Sequence, residues 1–78
     1  EWPVFSDSES VERINMIIEE LPPRRKTIFK MSRIDGLKYK EIADKLAISP
    51  KTVEVQMGKA LKYLREKLLP LKRQLLNS

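Results

Sequence analysis

Ser49-Pro50 constrains this chain more than any other pair of residues. A serine hydroxyl accepts from the free amides of a helix's first turn, and proline suits the first helical position because its missing N–H has no partner to lose there. A helix is therefore expected to start at residue 50. Val53, Met57, Ala60, Leu61, Leu64 and Leu68 return at three- and four-residue steps and give it one apolar stripe. Pro70 is expected to kink or end it, with a last segment resuming over 71–76. Just ahead, Ile42, Ala43 and Leu46 share one face of a short helical segment, 39–46, and Ala47-Ile48 makes a tight connection to the serine.

The same punctuation organises the first half. Val11, Ile14, Ile18 and Leu21 keep helical spacing, so a first helix is expected from near Ser8 or Ser10, either able to cap it, to about Glu20. Pro22-Pro23 stops it, and Pro23 opens a second helix running to about Ile34, with Ile28, Phe29, Met31 and Ile34 as its apolar surface. Gly36 supplies a left-handed cap. No strand alternation and no repeat interrupts this pattern, so the expected fold is all-α, a small bundle of four helices.

With 78 residues, 41% of them hydrophobic and 35% charged, the chain has room for one folded core. It holds no cysteine and no histidine, which removes disulfides, thiol chemistry, the usual structural zinc sites and imidazole catalysis. Glu41 and Asp44 are too few and too local for an enzyme site without a nucleophile or a phosphate loop. No cofactor or metal is expected. No run reaches the roughly 20 apolar residues that span a bilayer, and the acidic start lacks the plan of a secretory signal. The expected setting is the cytoplasm, without membrane insertion. Glu1 in place of an initiator methionine points to a piece of a longer protein. Residues 1–37 carry six Lys/Arg against seven Asp/Glu, while 38–78 carry ten against four. A one-sided positive field in a small domain attracts a polyanion, nucleic acid above all.

Segments three and four together have the form of a helix-turn-helix: a short helix, a turn of about three residues, then a longer helix crossing steeply. Close crossing requires a small residue, which Ala43 provides, while Ile42, Leu46, Ile48 and Val53 close a minimal core around it. At about 100° per residue, Lys51, Glu54, Val55, Gly58 and Lys62 lie opposite the apolar stripe, flanked by Thr52, Gln56 and Lys59. Toward a major groove this face offers a cationic donor in Lys51, a carboxylate acceptor for a cytosine amino group in Glu54, and an apolar contact for a thymine methyl in Val55. Arg33, Lys38 and Lys40 are candidate phosphate contacts. Lys59, Lys62, Arg65, Lys67, Lys72 and Arg73 extend the basic character into the tail.

Leu21-Pro22-Pro23-Arg24-Arg25 with Ile28-Phe29, then Gly36, Glu41-Ile42-Ala43, Leu46, Ile48-Ser49, Thr52-Val53-Glu54 and Ala60-Leu61-Leu64-Arg65, resembles region 4 of extracytoplasmic-function (ECF) sigma factors of the sigma-70 family. The resemblance covers the chain from about Ser8 to Leu68. It implies a winged-helix-like architecture without a wing: a linker over 1–9, a helix-turn-helix domain over 10–69 and a helical tail over 70–78. It also implies a non-enzymatic promoter-recognition module that reads the -35 element of double-stranded DNA through helix 50–69 and docks on the β-subunit flap of bacterial RNA polymerase. An anti-sigma factor is a further candidate partner. By position, Lys51, Thr52, Glu54, Val55 and Gln56 correspond to base-reading residues, and Lys59 falls beside them among phosphate contacts. Two positions depart from the pattern: Ala47 stands where many such turns have glycine, and Lys38 where a capping Ser or Thr is common. The part of a sigma factor that melts the -10 element is absent, so the chain alone should not initiate transcription. The alternatives are a LuxR-type response-regulator effector domain, which would bind DNA as a dimer, and a protein-docking domain using Leu68, Leu69, Leu71, Leu75 and Leu76.

Overall fold

The computed structural model describes the backbone of residues 8–77 and the side chains of residues 11–68. Four helices follow in order: α1 (Ser8–Glu19), α2 (Pro23–Arg33), α3 (Tyr39–Leu46) and α4 (Pro50–Asn77). Among the described residues there is no strand. α4 is the spine: α1, α2 and α3 all pack against it, and α2 also meets α3. Its 28 residues, at about 1.5 Å rise per residue, account for the 46 Å long axis of a molecule only 20 × 19 Å across.

One core serves all four helices. Ile14, Ile18 and Leu21 come from α1 and its exit, Ile28 and Phe29 from α2, Ile42 and Ala43 from α3, and Val53, Met57, Ala60, Leu64 and Leu68 from α4. Phe29, Ile28, Ile42, Met57 and Leu64 are the largest fully buried side chains, each contributing about 1.5–3 kcal/mol of transfer free energy. The expected stripe on α4 is therefore the surface on which the other helices close.

Two expected apolar positions are not core. Val11 is 45% exposed and Ile34 65% exposed. α2 ends at Arg33, so Ile34 is its cap and the chain turns there. The amides of Ile34 and Asp35 both return to the Lys30 carbonyl, that of Leu37 returns to Met31, and Gly36 takes φ +73 between them. Leu37, not Ile34, then packs against the core.

α1 starts at Ser8, one of the two expected starts. One boundary differs from expectation: α4 passes through Pro70 without a break. Proline at 70 removes the amide that would bond the carbonyl of Glu66, an exposed residue to whose carbonyl water can donate instead. Leu71, Lys72, Arg73, Gln74, Leu75 and Leu76 are good helix formers that carry the helix on. The proposed caps of Ser8 and Ser10, the leucines after Leu68, and Lys72 and Arg73 have side chains outside the described residues.

Polar contacts pin α1 to its neighbours. Glu19 accepts from Lys26 Nζ at 3.1 Å and from Lys30 Nζ at 2.7 Å, tying α1 to α2. Those bonds, Lys30 first and Lys26 second, hold the Glu19 carboxyl below the usual carboxylate range. The Tyr63 hydroxyl donates to Glu20 Oε1 at 2.5 Å, tying α4 to the end of α1, and this bond raises the Tyr63 phenol above its ordinary value. Lys67 Nζ stands 5.4 Å from the centre of the same ring.

Candidate nucleic-acid interface

The turn between α3 and α4 sets how α4 is presented. Ala47 adopts φ 55, ψ 44, the left-handed conformation. Its amide bonds the Asp44 carbonyl at 3.4 Å, and the Ile48 amide bonds the Ala43 carbonyl at 3.0 Å. Together these are the two bonds of a Schellman motif, here closed by alanine in the place glycine usually takes. Ile48 then packs against the core beside Ala43. Ser49 caps α4: its Oγ accepts from the Thr52 amide at 3.1 Å and lies 2.9 Å from Thr52 Oγ1. At α3, Lys38 makes no side-chain cap, but Glu41 Oε1 accepts from the Lys38 amide at 2.8 Å and shields the helix start.

With the stripe buried, the opposite side of α4 faces outward. Lys51, Glu54, Val55, Gly58, Lys59 and Lys62 are all exposed. A Cβ built on Gly58 would meet nothing within 4 Å, so the packing of the fold places no demand for glycine there. Val55 is 42% exposed, an apolar side chain held out from a polar surface. Lys51 Nζ lies 3.6 Å from Glu54 Oε1, with 76% and 62% of the two side chains exposed. A pair so open to water contributes little, so either member is released to a ligand at small cost.

Thr52 and Gln56 sit differently. Both are half-buried on the flank of the exposed face. The Thr52 hydroxyl is engaged with the cap serine. Gln56 Oε1 accepts from Arg25 Nε at 2.9 Å, a bond from α4 to α2 across 31 positions of sequence. Nothing in local spacing signals that pair; only the docking of the two helices brings it together. Arg33 is exposed in the last turn of α2, Lys38 precedes α3, and Lys40 lies in its first turn, so the three follow one another around the α2–α3 connection. Arg65 and Lys67 continue the exposed cations along α4. The arrangement is a rod with a groove-sized outward face, cations at its margins, and both donors and an acceptor at its N-terminal end.

Among the described residues, no group of His, Cys, Asp and Glu is placed to hold a metal ion, and no helix is long and apolar enough to cross a membrane.

Comparison with known proteins adds a family. The pattern described as Sigma-70, region 4 matches residues 12–64, which takes in most of α1 and all of α2 as well as the helix-turn-helix. The ferric citrate uptake sigma factor FecI of Escherichia coli (strain K12) is 31% identical over 58 residues, covering 74% of this chain and 34% of FecI. The chain thus spans about a third of the length of that relative.

Proposed function

The chain belongs to the sigma-70 region 4 family, and from that premise we propose that it is the promoter-recognition module of an ECF-type alternative sigma factor. In this reading the N-terminal half of α4 enters the major groove of the -35 element. Lys51, Thr52, Glu54, Val55 and Gln56 read base edges, and Arg33, Lys38, Lys40, Lys59 and Lys62 contact phosphates. The module docks on the β-subunit flap of RNA polymerase, and an anti-sigma factor would act by masking one of these surfaces. Its place of action is the bacterial cytoplasm, at the nucleoid.

The observation that carries the reading is the sidedness of α4. Val53, Met57, Ala60 and Leu64 are buried to 1% exposure or less, while Lys51, Glu54, Val55, Gly58 and Lys62 stand in solvent. Phosphate neutralisation supplies affinity and the base edges supply selection. The family match extends over most of α1 and all of α2, ahead of the motif that response-regulator effector domains share, so the dimeric effector reading is not favoured. Neither is a purely protein-docking domain, because Leu68, the one leucine of its proposed apolar surface whose side chain is among the described residues, belongs to the core.

The test is selection of duplexes from a random pool by the chain, with and without RNA polymerase core. A common motif should emerge, and core polymerase should tighten its binding. A pool that stays random in both arms contradicts the proposal.

A further inference from the structure

We infer that Arg25 is a positioning residue that fixes the Gln56 amide as a hydrogen-bond donor toward DNA, so that the base facing Gln56 is read as guanine and adenine is rejected. The inference rests on the duplex-reading role of α4 proposed above. It starts from one bond: Arg25 Nε donates to Gln56 Oε1 at 2.9 Å, with both side chains half-buried. A guanidinium carries donors and no acceptor, so chemistry alone dictates which end of the amide faces Arg25. The oxygen is turned toward α2, and the NH2 is turned away from it.

That orientation changes what a glutamine can read. A free glutamine suits adenine, donating to N7 while accepting from the N6 amino group. With its oxygen turned to Arg25 on α2, Gln56 presents its N–H groups, not its acceptor, on the side away from α2. Guanine presents two acceptors on its major-groove edge, N7 and O6, whereas adenine places an amino donor beside its N7. Outward-turned N–H groups match the first and set a donor against the adenine amino group, the kind of mismatch that base contacts penalise most. A charge-assisted bond between half-buried groups is strong enough to persist at the groove edge. Arg25 thus acts on the choice of base through Gln56, without itself touching a base.

The experiment uses the 78-residue chain in three forms, wild type, Gln56→Ala and Arg25→Met, each selecting from a pool of duplexes randomised over the bound stretch. The methionine keeps an unbranched stem of similar reach and removes the donors. The position read by Gln56 is the one whose preference Gln56→Ala levels. There the wild type should favour guanine over adenine by about tenfold, a modest value for a base contact. Arg25→Met should bring adenine to parity or better at that position and leave the others unchanged. Adenine preferred by the wild type, an unaltered guanine preference in Arg25→Met, or no position levelled by Gln56→Ala would each overturn the inference while enrichment elsewhere upholds the promoter reading. No enrichment by the wild type would remove both. Should Arg25→Met fail to fold, proton exchange at Arg25 Nε–H, followed by NMR in wild type and Gln56→Ala, gives an independent reading. Slower exchange in the wild type supports the lock, and equal exchange overturns it.

Discussion

Ala47 holds a conformation that an L-residue adopts at a cost of about 1 kcal/mol or more, and in it closes the turn between α3 and α4. Ala47→Gly should therefore stabilise the chain by about 0.5–1 kcal/mol, a rise in the thermal midpoint followed by circular dichroism; a fall would show that the turn is not strained. Its departure from the usual glycine was legible in the sequence, but the conformation that makes the departure matter was not. At the outward face, Glu54 is the acceptor among donors. Its pairing with Lys51 at 3.6 Å is too exposed to hold it back from a cytosine amino group. Glu54→Ala should relax discrimination at one base pair by about 1–3 kcal/mol, measured by anisotropy on duplexes varied base by base. An unchanged preference would take Glu54 out of the reading set.

Helix boundaries followed from proline and serine chemistry wherever the signal was local. Ser49-Pro50 placed the start of α4, and the bond from the Thr52 amide to Ser49 Oγ shows the cap at work. Ser49→Ala should lower stability by about 1 kcal/mol in chemical denaturation while leaving α4 as the spine. A loss within error would mean that Pro50 alone sets the start. The extent of α4 was harder to see. A proline weakens a helix by withdrawing the bond to the carbonyl one turn earlier and by crowding that carbonyl, and at Pro70 the carbonyl belongs to an exposed residue, Glu66, where water can donate in place of the lost amide. The apolar face of α2 was half legible. Ile34 keeps helical backbone, but two three-residue steps carry it about 120° around the helix from Ile28, off the buried face.

At the scale of the molecule, two contacts make the docking of α1 depend on pH. Bonds to Lys30 and Lys26 lower the Glu19 value below the ordinary 4.5. Their contribution is complete above that value and is lost as pH falls through the lower folded one. The Tyr63 hydroxyl bonds to Glu20 and is raised above the ordinary 10.0, so that contribution is complete below 10.0 and is lost as pH rises through the folded value. In a Tyr39→Phe background, the tyrosinate absorbance of Tyr63 should appear at higher pH than in the same chain carrying Glu20→Gln. Coincident titrations would show that the bond does not form in solution. The charge asymmetry is also a property of the whole chain. Lys62, exposed on the outward side of α4, should act on every duplex alike. Lys62→Ala should weaken binding without regard to sequence and reduce the salt slope by about one. A loss confined to some sequences would instead make Lys62 a base reader.

By itself the sequence determined four helices, the caps and breaks between them, the apolar stripe of α4 and, by opposition, its outward face. Each of these depends on residues within a few turns of one another, where backbone geometry leaves little choice. Only the tertiary structure decided which of the stripe's neighbours closed over it, that Val11 and Ile34 stay outside, and that Arg25 meets Gln56 across 31 positions. Such contacts are made by the docking of one helix on another. The angle and register of that docking come from the summed packing of the whole core, which no local pattern of residues records.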